Sequence, residues 1–254
     1  LRRALLAALA AAVALPAAAY LPPASAILKR VVQRRDELGL TAIEVRGSLL
    51  LAGDAARSAA ATSGLPVAGP ELSVPAVVVV KAPGRCRLEL LPEGVPPAER
   101  PAVSLRAGRV LGHRGLEGVP AARALMEGVC ALLGERGSGG AEPERALAQA
   151  LSARGIALQE VALGRLGARV AWVIGARPRE QRPQAWIDKQ SLQPIRLVAP
   201  LGGPPRDVRL LDFGSPVGGD AFPRAVEVWD GERLEARFTT EKVTPNPRVP
   251  DALF

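Results

Sequence analysis

Residues 185–198 read AWIDKQSLQPIRLV. Two short apolar runs, Ala185–Asp188 and Pro194–Val198, flank a polar turn, so the stretch is a strand, a turn and a second strand. The same grammar repeats on both sides. Upstream, Ile156–Leu163 and Arg169–Gly175 read as a hairpin about Gly164–Gly167. Downstream, Asp207–Phe213, Phe222–Trp229 and Arg233–Thr244 are each bounded by Gly, Pro or Asp, as at Asp230-Gly231. The last hundred residues are therefore β, with the spacing of an antiparallel sheet that curls or closes.

The first half adds strands and the helices. Alternation of Ile43, Val45, Gly47, Leu49 and Leu51 with polar residues marks a strand, after which Gly53–Gly69 reads as a long loop. Ala76–Lys81, the Pro83-Gly84 turn and the apolar alternation of Cys86, Leu88 and Leu90 form the next pair, and Ala102–Arg106 and Arg109–His113 a further one. Before all of these, Ser25–Leu38 places Ile27, Val31 and Val32 on one face of a helix that Gly39 stops. Ala121–Leu133 and Glu142–Arg154 are two more helices, joined by a flexible Gly134–Gly140 linker. The count is about ten to twelve strands, with helices at the start and in the middle and no internal repeat.

The extreme N-terminus reads as a secretory signal: Arg2 and Arg3, an apolar Ala4–Leu15, then small residues that permit cleavage after Ala19 or, as a second choice, after Ala26. The apolar run is shorter than the roughly 20 residues of a spanning helix. Neither cut leaves an N-terminal Cys to carry a lipid, so the expected mature protein is soluble and periplasmic. The chain opens on Leu rather than Met, which fits an alternative start codon or a truncation. An oxidising compartment makes Cys86 and Cys130 a candidate disulfide; two buried free thiols are the other reading.

Composition excludes more chemistry than it suggests. The 254 residues hold one His and two Cys, too few for most metal sites or for His-based catalysis. That His, His113, sits in a Gly-flanked segment read as a turn, with no nucleophile beside it. Strand-end acids such as Asp188, Asp207 and Asp230 are turn residues by type. No Gly-x-Ser-x-Gly elbow and no phosphate loop is present. Aromatics are 3%, which argues against a base-stacking nucleic-acid platform despite the net charge of +8. No cofactor, metal or nucleic-acid partner is expected, and the chain is expected to be a monomer.

What remains is apolar surface. A curved sheet must cover its inner face with helices or with ligand. Under a loose lid, an acyl chain of about sixteen carbons gains about 12 kcal/mol gross on burial. Under a tight one, the same residues form an ordinary core. From composition the two readings stand level.

The motif order then resembles a known family. Trp186-Ile187-Asp188-Lys189 with Leu192 and Pro194-Ile195-Arg196-Leu197 resembles a strand–turn–strand of the LolA/LolB-type periplasmic lipoprotein carriers and their outer-membrane lipoprotein-sorting relatives. Phe222-Pro223 before Val226-Glu227-Val228 is similar to their next segment, and the run from Phe238 through Val243, Asn246 and Val249 to Asp251 and Phe254 to their close. Lys81-Ala82-Pro83-Gly84-Arg85-Cys86-Arg87 is similar to an early turn of the family. The resemblance runs over 185–254, thins before Leu91 and is absent from about Pro92 to Arg154, so residues near 115–155 would be a divergent helical insertion in a single domain spanning 20–254. It implies an α+β fold: a strongly curved, open antiparallel half-barrel of about eleven strands with helices over the concave face. It implies a non-enzymatic carrier of lipoprotein acyl chains or another lipid, with inner- and outer-membrane sorting proteins as partners. The family places an Arg before the early Pro to help hold the lid; Ala82 stands here, with Lys81 one step away.

Alternation nominates the cavity wall: Val78, Val80, Leu88, Val170, Trp172, Trp186, Ile195, Leu197, Phe213, Val226, Val228 and Phe238, plus Ile27 and Val31 from the first helix. A one-residue register change would move any of them to the other face. The rival class is an interaction or sensor module on the same fold, with a filled core and no transported ligand.

Overall fold

The structure, a computed structural model, describes residues 21–65, 69–116, 118–134 and 142–254. The expected signal segment lies outside the described residues, as do 135–141 of the expected linker.

Twelve strands form one antiparallel sheet. In chain order they are β1 Ala42–Ala52, β2 Glu71–Lys81, β3 Arg85–Leu90, β4 Ala102–Arg106, β5 Arg109–Arg114, β6 Val161–Leu166, β7 Arg169–Ile174, β8 Gln184–Asp188, β9 Pro194–Pro200, β10 Pro205–Leu211, β11 Ala225–Asp230 and β12 Arg233–Pro245. Their spatial order is β5-β4-β3-β2-β1-β12-β11-β10-β9-β8-β7-β6. Two meanders, each built from sequence neighbours, thus meet at one long-range seam, β1 against β12, where Ile43 faces Pro245 and Leu51 faces Ala236. Asn246 locks the seam: its Oδ1 accepts from the Thr41 N–H at 2.7 Å and its Nδ2 donates to the Gly39 carbonyl at 3.0 Å. The outer strands β5 and β6 do not pair with each other, so the sheet is open.

Among the described residues four α-helices accompany it: α1 Ala24–Glu37, α2 Asp54–Ser63, α3 Pro120–Val129 and α4 Pro143–Ser152. A π-helical turn, Cys130–Gly134, continues α3. α3 packs on β3 and β4 and also on β10, β11 and β12. In a flat sheet with strands ~4.8 Å apart, β4 and β10 would be separated by about 29 Å, twice the ~15 Å length of a ten-residue helix. A sheet that wraps around α3 brings both flanks within its reach. The result is an α+β open half-barrel with helices on its inner side. Close approach is built into the helix: a Cβ on Gly128 would fall 2.8 Å from a Val208 methyl.

Several sequence expectations need correction. The expected Gly53–Gly69 loop contains α2, whose small residues Ala55, Ala56 and Ala59 bury one side; a short, alanine-rich stretch carries too little hydrophobic contrast to announce a helix. Residues 156–160 precede β6 rather than opening it, and Phe222 is fully buried in the turn before β11 rather than starting a strand. His113 lies within β5, not in a turn. The strand count, twelve, lies within the expected ten to twelve. Cys86 on β3 and Cys130 after α3 are bonded, with Cα atoms 5.8 Å apart; the free-thiol reading does not hold.

Candidate functional site: a packed inner wall and a groove at its mouth

Each meander turns its alternate apolar residues inward. Val78, Val80, Leu88, Trp172, Leu197, Val226, Val228 and Phe238 join one continuous buried cluster with Ile27 and Val31 of α1. Phe213, just past β10, packs half-buried on its border. Phe238 meets Phe222 edge-on, ring centroids 6.3 Å apart.

Three of the nominated wall residues sit elsewhere. Trp186 and Ile195 belong to a separate cluster with Ala171 and Val173 on the outer face. Trp186 is outward by simple alternation, opposite Val173, whereas Ile195 is turned out by a bulge: Trp186 faces Arg196 but Ile187 faces Pro194, leaving Ile195 as the extra residue. Strict alternation put Ile195 and Leu197 on one face, and the bulge separates them. Ile187, opposite Trp172, takes the inner position instead. On the outer face the Arg196 guanidinium covers the Trp186 ring at 4.9 Å and donates to Asp207 at 2.8 Å. Val170 opens β7 beyond the reach of the helices and is 38% exposed.

The inner wall is not hollow. The side chains that fill it are Leu125, Met126 and Val129 of α3, Leu132 and Leu133 of the π turn, and Leu147 and Leu151 of α4, all buried. The helical period of 120–133 signalled the first group, although sequence reading offered them as a lid and not as the filling. Between the two readings, loose lid or closed core, the inner side is packed by the protein's own side chains.

Open volume lies at the rim. A groove of about 890 Å³ runs over the outward face of α3, between the Pro83-Gly84 and Ala107-Gly108 turns on one side and α4 on the other, with Pro200 at its end. Among the described residues Arg106, Arg109, Arg123 and Arg154 line it, with Glu127 as the one acid. Arg123 donates to Glu127 at 2.6 Å, and the same carboxylate accepts the Gly202 N–H at 2.8 Å. A second concavity of about 500 Å³ lies along β5, where Leu111 is exposed, against Leu253 and Phe254.

Polar groups elsewhere are structural. Asp188 Oδ1 accepts the backbone N–H groups of Gln190 and Ser191 at 2.9 and 2.7 Å, which closes the β8–β9 turn. On the outer face Asp251 takes hydrogen bonds from Lys81 and then Arg85, which hold its carboxyl below the usual carboxylate range. Glu160, before β6, is held low in the same sense, chiefly by hydrogen bonding to Arg182. Among the described residues no three His, Cys, Asp or Glu side chains gather in a way that could hold a metal ion, and no helix is long and apolar enough to cross a membrane.

No protein-family model and no curated protein sequence matches the chain. Among solved structures it is similar to a LolA superfamily protein from Nitrosomonas europaea, at 12% identity and a TM-score of 0.45, over 92% of this chain and 98% of that one. It is also similar to a DUF1329 family protein from Desulfovibrio piger, at 9% identity and a TM-score of 0.39, over 92% and 98%. Superpositions at that level add nothing to what strand order and the bridging helix already establish.

Proposed function

We propose that the protein is a non-enzymatic, exported binder of apolar or amphipathic ligands, of which lipoprotein acyl chains in the periplasm are the leading case, with envelope sorting proteins as its partners. The observation that carries the reading is the cover of the inner wall: one apolar surface, continuous across both meanders, is closed by helices instead of by a second sheet. Helices can part from a sheet without breaking any strand pairing. Of these helices, the α3 segment is bonded to the sheet through Cys130, while α1 and α4 rest on each other, α4 also on the π turn, and both join the wall's apolar cluster by side-chain packing alone. The packed interior is then the unloaded form, and loading means that α1 and α4 lift from β7 to exchange their own leucines for a guest chain.

The test is direct. The protein is purified from the periplasm and extracted for mass spectrometry, and the delipidated protein is titrated with N-phenyl-1-naphthylamine, a neutral apolar dye. Co-purifying lipid, or dye binding displaced by fatty acid, supports the reading. Neither signal would sink it, and the packed wall would stand as a plain core. A filled-core interaction module is the second reading, favoured by the near-complete burial of Val226, Val228 and Phe238; it expects no dye binding and a stable protein partner.

A further inference from the structure

One end of the first meander carries four cations in consecutive cross-strand positions. Lys81 faces Arg85, Arg85 faces Arg106, and Arg106 faces Arg109. Like charges directly opposite one another weaken an antiparallel pair. Two members of this row share one carboxylate, which offsets one of the four charges: Lys81 Nζ and Arg85 Nη1 reach Asp251 at 2.6 and 2.5 Å. Arg106 and Arg109 form no ion pair among the described residues. They flank a two-residue turn, Ala107-Gly108, in which both φ angles are positive, at 48° and 72°. The Arg154 guanidinium lies against that turn: a Cβ on Gly108 would be 3.4 Å from its Nη2. Arg123 adds a fourth guanidinium across the groove, and its acid, Glu127, is already shared with the Gly202 amide.

We propose that this groove binds a phosphate-bearing ligand. Arg106 and Arg109 thus bring two unpaired guanidinium charges to the groove, which suits a phosphomonoester or diphosphate, with about two negative charges or more and several acceptor oxygens. Guanidinium forks suit those oxygens bidentately. The groove, at about 890 Å³, is far larger than a phosphate group, and Ala146, Ala150, Ala153 and Pro200 give it apolar flanks. Both a lipid headgroup and a soluble phosphate compound offer this chemistry. Only the lipid source rests on the function proposed above; the anion site itself does not.

The experiment uses the full chain and isothermal titration with three probes: dihexanoyl phosphatidic acid below its micellar concentration, inorganic pyrophosphate, and dihexanoylglycerol as the uncharged control. The expected result is binding of a phosphate probe and not of the control, weakened at least tenfold in Arg106→Ala/Arg109→Ala and further weakened between 50 and 200 mM salt. The melting temperature of that variant stays level or rises, because a like-charge pair is removed. Should it fall instead, Arg106→Gln/Arg109→Gln keeps the side-chain length and repeats the test. Phosphatidic acid alone binding supports the site with a lipid source; pyrophosphate binding equally well supports it with a soluble one. Wild type that binds neither phosphate probe, or variants that bind as tightly as wild type, overturn the proposal. Loss of naphthylamine binding alone overturns the lid reading and leaves this one untouched.

Discussion

The two flanks of the half-barrel are covered in different ways. Over β3 and β4 the helical cover is bonded to the sheet: α3 runs into the π turn, and Cys130 closes on Cys86 at a sequence separation of 44. Over β7 the cover is adhesive only. α1 and α4 pack on each other, Leu147 and Leu151 point into the core, and Arg30 lies over the Trp172 ring at 5.4 Å. Arg34 reaches Asp220 at 2.5 Å, but both side chains are more than a third exposed, and solvent screening leaves such a pair little holding power. Burial is equally complete on both flanks, so burial alone does not say which cover can move. The difference lies in what remains attached when packing is lost. On the first flank a covalent cross-link remains, and on the second only an exposed ion pair and the chain's own connections do.

The largest expected effect comes from cutting the bond. A loop of this length restricts the unfolded chain by about 4 kcal/mol. Cys86→Ala/Cys130→Ala is therefore expected to melt roughly 10 °C lower than wild type, since 1 kcal/mol shifts a chain of this size by about 2–4 °C. Calorimetry of the oxidised, reduced and double-variant proteins checks it. A shift below about 2 °C in both the reduced and the substituted forms would mean that packing alone holds α3, and the contrast between flanks would collapse.

The next effect separates the flanks without touching the disulfide. Leu125 of α3 and Leu151 of α4 are both fully buried. Truncating a buried leucine costs about 2–5 kcal/mol, with the size set by how far the surroundings can close on the cavity. A pinned α3 cannot follow the lost volume, whereas α4 can settle. Leu125→Ala is expected near the top of that range and Leu151→Ala near the bottom, read from urea unfolding. Amide exchange sharpens the point: α4 amides should exchange through a lower-energy opening than those of α3. Equal protection of the two helices would break the comparison and weaken the proposed route for a guest.

Much of this arrangement is legible in the residues. The turn chemistry after Ile156 gives the second meander strand by strand, and the period-two runs of β1 to β3 give the first. The helical period of 120–133 and 142–154 gives α3 and α4 within a residue or two. Two features are hidden for physical reasons. A bulge adds one residue without altering the hydrophobic pattern, so Ile195 reads as inner when the backbone turns it outward. A helix of alanines such as α2 buries its side through small contacts that hydropathy scarcely registers. The groove over α3 is hidden for a third reason. Arg106, Arg109, Arg123 and Arg154 are scattered singly in sequence, and only the wrapping of the sheet gathers them. The β1–β12 seam is hidden too, because the contacts of Asn246 with Thr41 and Gly39 span some two hundred residues and leave no local pattern.

The smallest effect is electrostatic and again has one member on each flank. Asp251 sits over the first meander, held below its ordinary value of 3.8 first by Lys81 and then by Arg85. Glu160 leads into β6 on the other side, held below 4.5 chiefly by Arg182. A carboxyl whose value is lower in the folded chain stabilises fully above its unfolded value, and that stabilisation is lost as the pH falls through the folded value. Both groups are exposed to solvent, so the effect is slight and salt screens it. Asp251→Asn and Glu160→Gln should each melt slightly below wild type at pH 6, converge with it only as the pH falls through the lowered folded-state value of each carboxyl, and converge at pH 6 once salt reaches 1 M. The comparison is sharpened by which substitution also alters exchange in the nearby helices. Glu160→Gln should quicken α4, because β6 follows α4 directly in the chain and Arg182 ties that junction to the start of β8. Asp251→Asn should leave α3 unchanged, since the disulfide holds that cover regardless of the charge on the outer face. If α3 quickens instead, the first flank is held by its surface charges as much as by its bond.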